Sequence, residues 1–209
     1  MKVPNAYAGV KKLFASEVLN IISTVFLFMT SVFAVFVSDK VSPEHHAAGY
    51  FTLLGLTAVS VATAVIAFVM QLAALNQARK DERLFKKAMY FVIICGICTV
   101  AMMFTTGAFG KITATVDEVS TLLMNVYVIT AVYSIAFQAG DAAMQKRAKL
   151  GMLFVSIPFF VAFCLQFAIV YLPDLAETLT VIGAALDFVG YVVFMIYLGI
   201  EKKALAKMA

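Results

Sequence analysis

The chain has no tryptophan, three cysteines, four prolines and two histidines, and only 13% of its 209 residues are charged. Each shortage excludes a class. Three cysteines cannot frame a disulfide-stapled domain. The two histidines are adjacent, His45-His46, so neither a Ser–His–acid constellation nor an H-E-x-x-H zinc motif is present. There is no P-loop and no G-x-G-x-x-G, which leaves no signature of nucleotide chemistry. The charged fraction is half the roughly 25% of soluble domains, too little polar surface for a soluble enzyme and too little charge for a disordered chain.

What the chain has is apolar surface: 63% of residues are hydrophobic and the mean hydropathy is +0.97. A membrane helix needs about 20 apolar residues, and the hydropathy pattern predicts six: Leu19–Ser38, Tyr50–Leu75, Ala88–Gly110, Ser120–Gln138, Leu150–Leu172 and Thr178–Ile200. None contains Lys or Arg. The expected fold class is an all-α integral membrane protein, residues 1–209 forming a single transmembrane domain. Pro158 is expected near the basic end of the fifth span as a local kink. The first span has Glu17 and Asn20 ahead of its apolar run and no small-residue cleavage site before Lys40, so it reads as a mature helix.

Fourteen of the sixteen Lys and Arg fall in the two tails, in Arg79–Lys87 and in Lys146–Lys149; only Lys40 and Lys111 lie on the other side. The positive-inside rule then puts both termini in the cytoplasm of a multi-pass cell (inner) membrane protein. The net charge of +4 reflects topology, with basic loops against anionic headgroups of the bilayer, and gives no case for nucleic acid.

Compared with itself, the chain suggests a repeat. A shift of 75 residues puts Lys11-Lys12 on Lys86-Lys87, Thr24-Val25 on Thr99-Val100 and Thr30 on Thr105. A shift of 69 puts Thr52-Leu53-Leu54 on Thr121-Leu122-Leu123 and Ile66-Ala67-Phe68 on Ile135-Ala136-Phe137. A fainter third copy sets Thr178-Leu179 on Thr121-Leu122. The expected architecture is three tandem parallel hairpins, about 10–80, 84–145 and 146–205, around a pseudo-threefold axis along the membrane normal. Thr115–Glu118 and Asp174–Glu177 have capping-box spacing, and Ser42-Pro43-Glu44 offers an N-cap, so these acids are expected at helix starts.

Asp187, midway along the sixth span, is the sharpest chemical signal. An ionised carboxylate at that depth costs roughly 2.5–3.5 kcal/mol on insertion scales, so it must pair, protonate or face a wet cavity. Gly183, Gly190 and Tyr191 surround it at helical spacing. On the fourth span Tyr127, Thr130, Ser134, Gln138 and Asp141 form one polar face, and the repeat aligns Thr130 with Asp187 and Ser134 with Tyr191. The candidate substrate or ion site is therefore Asp187, Tyr191, Thr130, Ser134 and Asn125, with a small solute, proton or cation as ligand. No catalytic residue, metal site or cofactor is expected. Cys95 and Cys98 read as small packing residues; His45-His46 read as an interfacial helix start. Ala58/Ala62 and Ser60/Ala64 suggest a close helix contact, and Tyr50, Tyr90, Tyr171 and Tyr197 an interfacial belt. Two functions compete: a small-solute or ion transporter (or its substrate-binding subunit), and a non-catalytic scaffold or partner subunit whose polar residues only hold helices together. The size and helix count are similar to substrate-capturing subunits of energy-coupling-factor transporters; the chain lacks the P-x-[DE]-x-x-[KR] signatures of mitochondrial carriers.

Overall fold

The computed structural model describes residues 2–40, 46–171 and 173–209. It is helical throughout: α1 (Pro4–Lys40), α2 (His46–Ala78), α3 (Leu84–Met102), α4 (Gly107–Ala139), α5 (Ala142–Tyr171) and α6 (Ala176–Leu205), with short 3₁₀ turns at Pro173–Leu175 and Ala206–Met208. Among the described residues six helices are long and apolar enough to cross a membrane, and large side chains such as Phe28, Phe51, Leu54, Phe109 and Phe160 lie exposed along them. This is the surface of a polytopic membrane protein, whose outer faces meet lipid and need no water-compatible coat.

The helices overrun the predicted spans at the basic end, because Lys and Arg stems tolerate a helical backbone at a membrane boundary. The connection after α2 is only 79–83, and the one after α4 is Gly140-Asp141. There Gly140 takes φ 71° as a left-handed cap and Asp141 Oδ1 accepts from Met144 N–H at 2.9 Å, starting α5. Asp141 therefore leaves the polar face predicted for the fourth span. Pro158 stands well inside α5, since that helix begins eight residues before its predicted start at Leu150.

Three further expectations are corrected. The chain turns between α3 and α4 at 103–106, ahead of Lys111, so Thr115, Asp117 and Glu118 lie within α4. Thr115 Oγ1 bonds Lys111 O inside that helix and caps nothing. The N-cap of α6 is Leu175, without a side-chain bond, so the Asp174 capping box is not formed. Tyr197 is buried, 5% exposed, and does not join the tyrosine belt. Ser42, Pro43, Glu44 and His45 lie outside the described residues, as do the side chains of His46 and Glu177.

Two compact units make up the chain: residues 15–70, and residues 1–14 with 71–209. In the first, Ser23 Oγ donates to Ser60 O at 2.9 Å and Ser60 Oγ to Ser23 O at 3.0 Å, a reciprocal bond between α1 and α2. Ser60 is buried while Ala58, Ala62 and Ala64 are exposed, so the contact runs through the serine and not the predicted alanines. Ser23→Ala and Ser60→Ala should each cost about 0.6–1.7 kcal/mol, the range of intramembrane hydrogen bonds; unfolding in detergent measures it.

In the second unit α3 packs on α4, α4 on α5 and α5 on α6. The start of α1 completes it: Val3, Ala6, Val10 and Leu13, at spacings of three and four, are all buried. Asp81 caps this segment, accepting from Ala6 N–H at 2.8 Å and Asn5 Nδ2 at 2.9 Å, and Val3 N–H reaches Met208 O at 2.9 Å. Between α5 and α6 each helix offers a glycine to an aromatic ring of the other: Gly151 lies under Tyr197 and Gly190 under Phe159. The missing side chains let the backbones close, the usual device where lipid supplies no hydrophobic drive.

Candidate functional site within the spans

The packed face of α6 follows Gly183, Asp187, Gly190, Phe194, Tyr197 and Glu201, alternating four and three residues. Asp187 is half-buried on this face and makes no hydrogen bond or ion pair among the described residues. Tyr191, one turn on, packs edge-on against Phe159, ring centroids 5.3 Å apart. Nearly three turns further, Glu201 is fully buried and holds Arg147 of α5 through Nε at 2.8 Å and Nη2 at 3.4 Å. This forked pair locks α5 to α6 at the basic end. A spacing of seven from Asp187 through Phe194 to Glu201 already places both acids on one face, a signal that a span ending at Ile200 hides.

The pairings fix the depth of each group. Gly151 meets Tyr197 and Phe159 meets Gly190; Lys149 lies over Tyr133, and Gln145 bonds Ala136 O; Cys95 lies 3.5 Å from Thr121. Carried along the antiparallel helices, these registers bring Asp187 level with Ala162 of α5, Ser120–Thr121 of α4 and Cys95 of α3. Thr130 and Ser134 lie ten and fourteen residues beyond Ser120, about 15–20 Å nearer the basic end at 1.5 Å per residue. Thr130 bonds Val126 O within its own helix. Ser134 Oγ donates to Glu82 Oε2 at 2.7 Å, and Gln138 Nε2 reaches the same oxygen at 3.3 Å. Tyr127 stacks on Phe91, centroids 5.6 Å apart, beneath the Lys87 ammonium. The predicted polar face thus serves local partners and lies at a different depth from Asp187.

The groups that share or adjoin the Asp187 level come from α4. Asp117, Thr121 and Asn125, four residues apart, make one polar ladder, with Ser120 beside Thr121. Cys95 Sγ sits between Thr121 Oγ1 and the Asp117 carbonyl oxygen, at 3.5 and 3.7 Å. Asn125 is completely buried, and neither its amide oxygen nor its nitrogen has a hydrogen-bond partner; Asp117 Oδ1 is buried in the same condition. An unpaired amide in an apolar medium costs at least about 1–3 kcal/mol, so these orphan atoms call for a function or a guest. Sequence reasoning found Asn125 and Asp187 but assigned Asp117 to a helix start. The predicted third span runs on to Gly110, and only the turn at 103–106 reveals that Asp117 lies ten residues into α4.

No protein-family model, curated protein or solved structure matches this chain.

Proposed function

We propose that this chain is a small-solute or ion transporter, or the substrate-binding subunit of one, with Asp187 as its protonatable intramembrane residue. The observation that carries this reading is the unpartnered state of Asp187 on the packed face of α6. A carboxyl that serves only to join helices would hydrogen-bond across the interface; a working one is left free to take a proton, cation or solute. Asn125 and Tyr191 belong to the same working region, while Thr130 and Ser134 belong to its basic flank. The protein sits with both termini in the cytoplasm of a multi-pass cell membrane protein, by the distribution of Lys and Arg. Its three hairpins are copies of one unit, supported by the shifts of 75 and 69 residues. Enzymatic chemistry has no supporting constellation in the sequence.

The scaffold reading draws on a different observation: Ser134, Gln138 and Asp141 each have a structural partner at the basic end. One experiment separates the two. Purified chain in proteoliposomes, given proton, sodium and potassium gradients, should dissipate at least one faster than protein-free liposomes, and Asp187→Asn should lower that flux about tenfold or more with its thermal melt unchanged. Flux equal to protein-free liposomes for all three, with Asp187→Asn folded normally, sinks the ion-transport reading and leaves the scaffold.

A further inference from the structure

Burial along α4 is graded. Before Ser120 none of its described residues is buried; from Ser120 onward the inward face is closed. Past Asn125 that face is wholly apolar: Val128, Ile129, Ala131, Val132, Ile135 and Ala136 are all at 0% exposure. This seal is about 12 Å long, and the Glu82–Ser134–Gln138 bonds flank its basic end. The polar ladder therefore has a half-buried upper part, with Asp117 Oδ1 itself enclosed, and a blind end. Its blind end is the orphan amide of Asn125, and because the Cα–Cβ bond tilts toward the helix N-terminus, that amide leans toward Thr121.

We propose that Asp117, Ser120, Thr121 and Asn125 form a one-sided entry track for a small monovalent cation, reached from the end of the bundle opposite the basic loops and stopped by the Val128–Ala136 seal. The donors are a carboxylate, two hydroxyls and an amide, hard oxygen ligands that suit an alkali cation retaining part of its water. Asp117 supplies the single negative charge that balances it, and the orphan oxygens of Asp117 and Asn125 are the ones such an ion with its waters would satisfy. The Asn125 level lies about 7.5 Å deeper than Ser120, so the track passes the depth of Asp187 before it ends. This deepens the transport reading above and rests on it for what the ion does next; occupation of the track does not depend on flux.

Cys95, 3.5 Å from Thr121, is a natural reporter of the track. With C98A/C164A leaving it as the single thiol, a membrane-impermeant thiosulfonate is applied to sealed vesicles of each orientation, in sodium or choline chloride. A second chain, Thr121→Cys in a cysteine-free background, repeats the test in case Cys95 is sluggish, and Val132→Cys probes the seal. The expected result is labelling of Cys95 or Thr121→Cys from the side opposite the basic loops only, slowed about threefold or more by sodium, as occupancy requires, with Val132→Cys silent from both sides. In Asp117→Asn the labelling persists and its sodium dependence disappears. Labelling from the basic side, no labelling of either thiol in chains that label fully after denaturation, or rates indifferent to sodium overturns the proposal. One-sided, sodium-protected labelling in a chain without flux keeps the track and sinks only transport.

Discussion

Replacing Arg147 with methionine should cost the fold about 3 kcal/mol, the lower end of the range for breaking a buried ion pair. Glu201 is fully buried, and the forked bonds at 2.8 and 3.4 Å are what its charge has for company. The Arg147 side chain is 37% exposed, so water can follow where it leaves and hold the loss to that lower end. The double variant Arg147→Met/Glu201→Leu removes the stranded charge as well as its partner, and should recover most of the loss. Unfolding in detergent, read by a thermal melt, distinguishes the two. A double variant as unstable as the single one would show that Glu201 is held by something other than Arg147.

The second large effect is steric. A Cβ on Gly9 would lie 2.6 Å from the Ala74 carbonyl oxygen and 2.6 Å from the Ala78 Cβ. The oxygen is backbone and cannot swing away, so α1 and the end of α2 would have to part. Val3, Ala6, Val10 and Leu13, buried along the same segment, would loosen with them. Gly9→Val should cost at least about 2–3 kcal/mol, the upper part of the overpacking range. Gly55, on α2, has nothing within 4 Å of its notional Cβ; there alanine should be neutral or gain up to about 1 kcal/mol through helix propensity. Equal effects at the two glycines would contradict the docking of the α1 start.

The six helices were legible because apolar runs of about 20 residues have few alternative fates, whereas the Gly140-Asp141 turn was not, since helical spacing from Gln138 carries Asp141 onto the polar face of the fourth span. Helix ends were less legible. The rule that keeps charge out of spans reads Lys146–Lys149 and Glu201 as loop or tail, yet Glu201 lies buried within a helix because Arg147 meets it from the neighbouring one. A pairing between residues 54 positions apart leaves no periodic trace in a single sequence. Likewise, the Ser60 contact was read through its alanine neighbours, since small-residue spacing marks several faces of α2 equally and only the partner Ser23 selects one.

For the site, residue type and repeat alignment point to different depths. Asp187 and Asn125 stood out as costly polar groups in apolar runs, and both are unpartnered among the described residues. Thr130 and Ser134 were brought in by aligning α4 with α6, but an alignment transfers position along a helix and not depth in the bundle. The registers at Tyr197, Tyr133 and Cys95 put those two residues on the basic side of Asp187. Asp117 escapes the sequence reading because the turn at 103–106 falls inside the predicted third span, which ends at Gly110 and so puts Asp117 in a connection.

Difference infrared spectroscopy on the purified chain in lipid, recorded as sodium or a proton jump is added, decides whether Asp187 is a working carboxyl. The expected result is a carboxyl band that changes on addition and is absent from the Asp187→Asn difference spectrum, the mark of a group in exchange with a ligand. A spectrum identical in wild type and Asp187→Asn, with no carboxyl change under either addition, would contradict it.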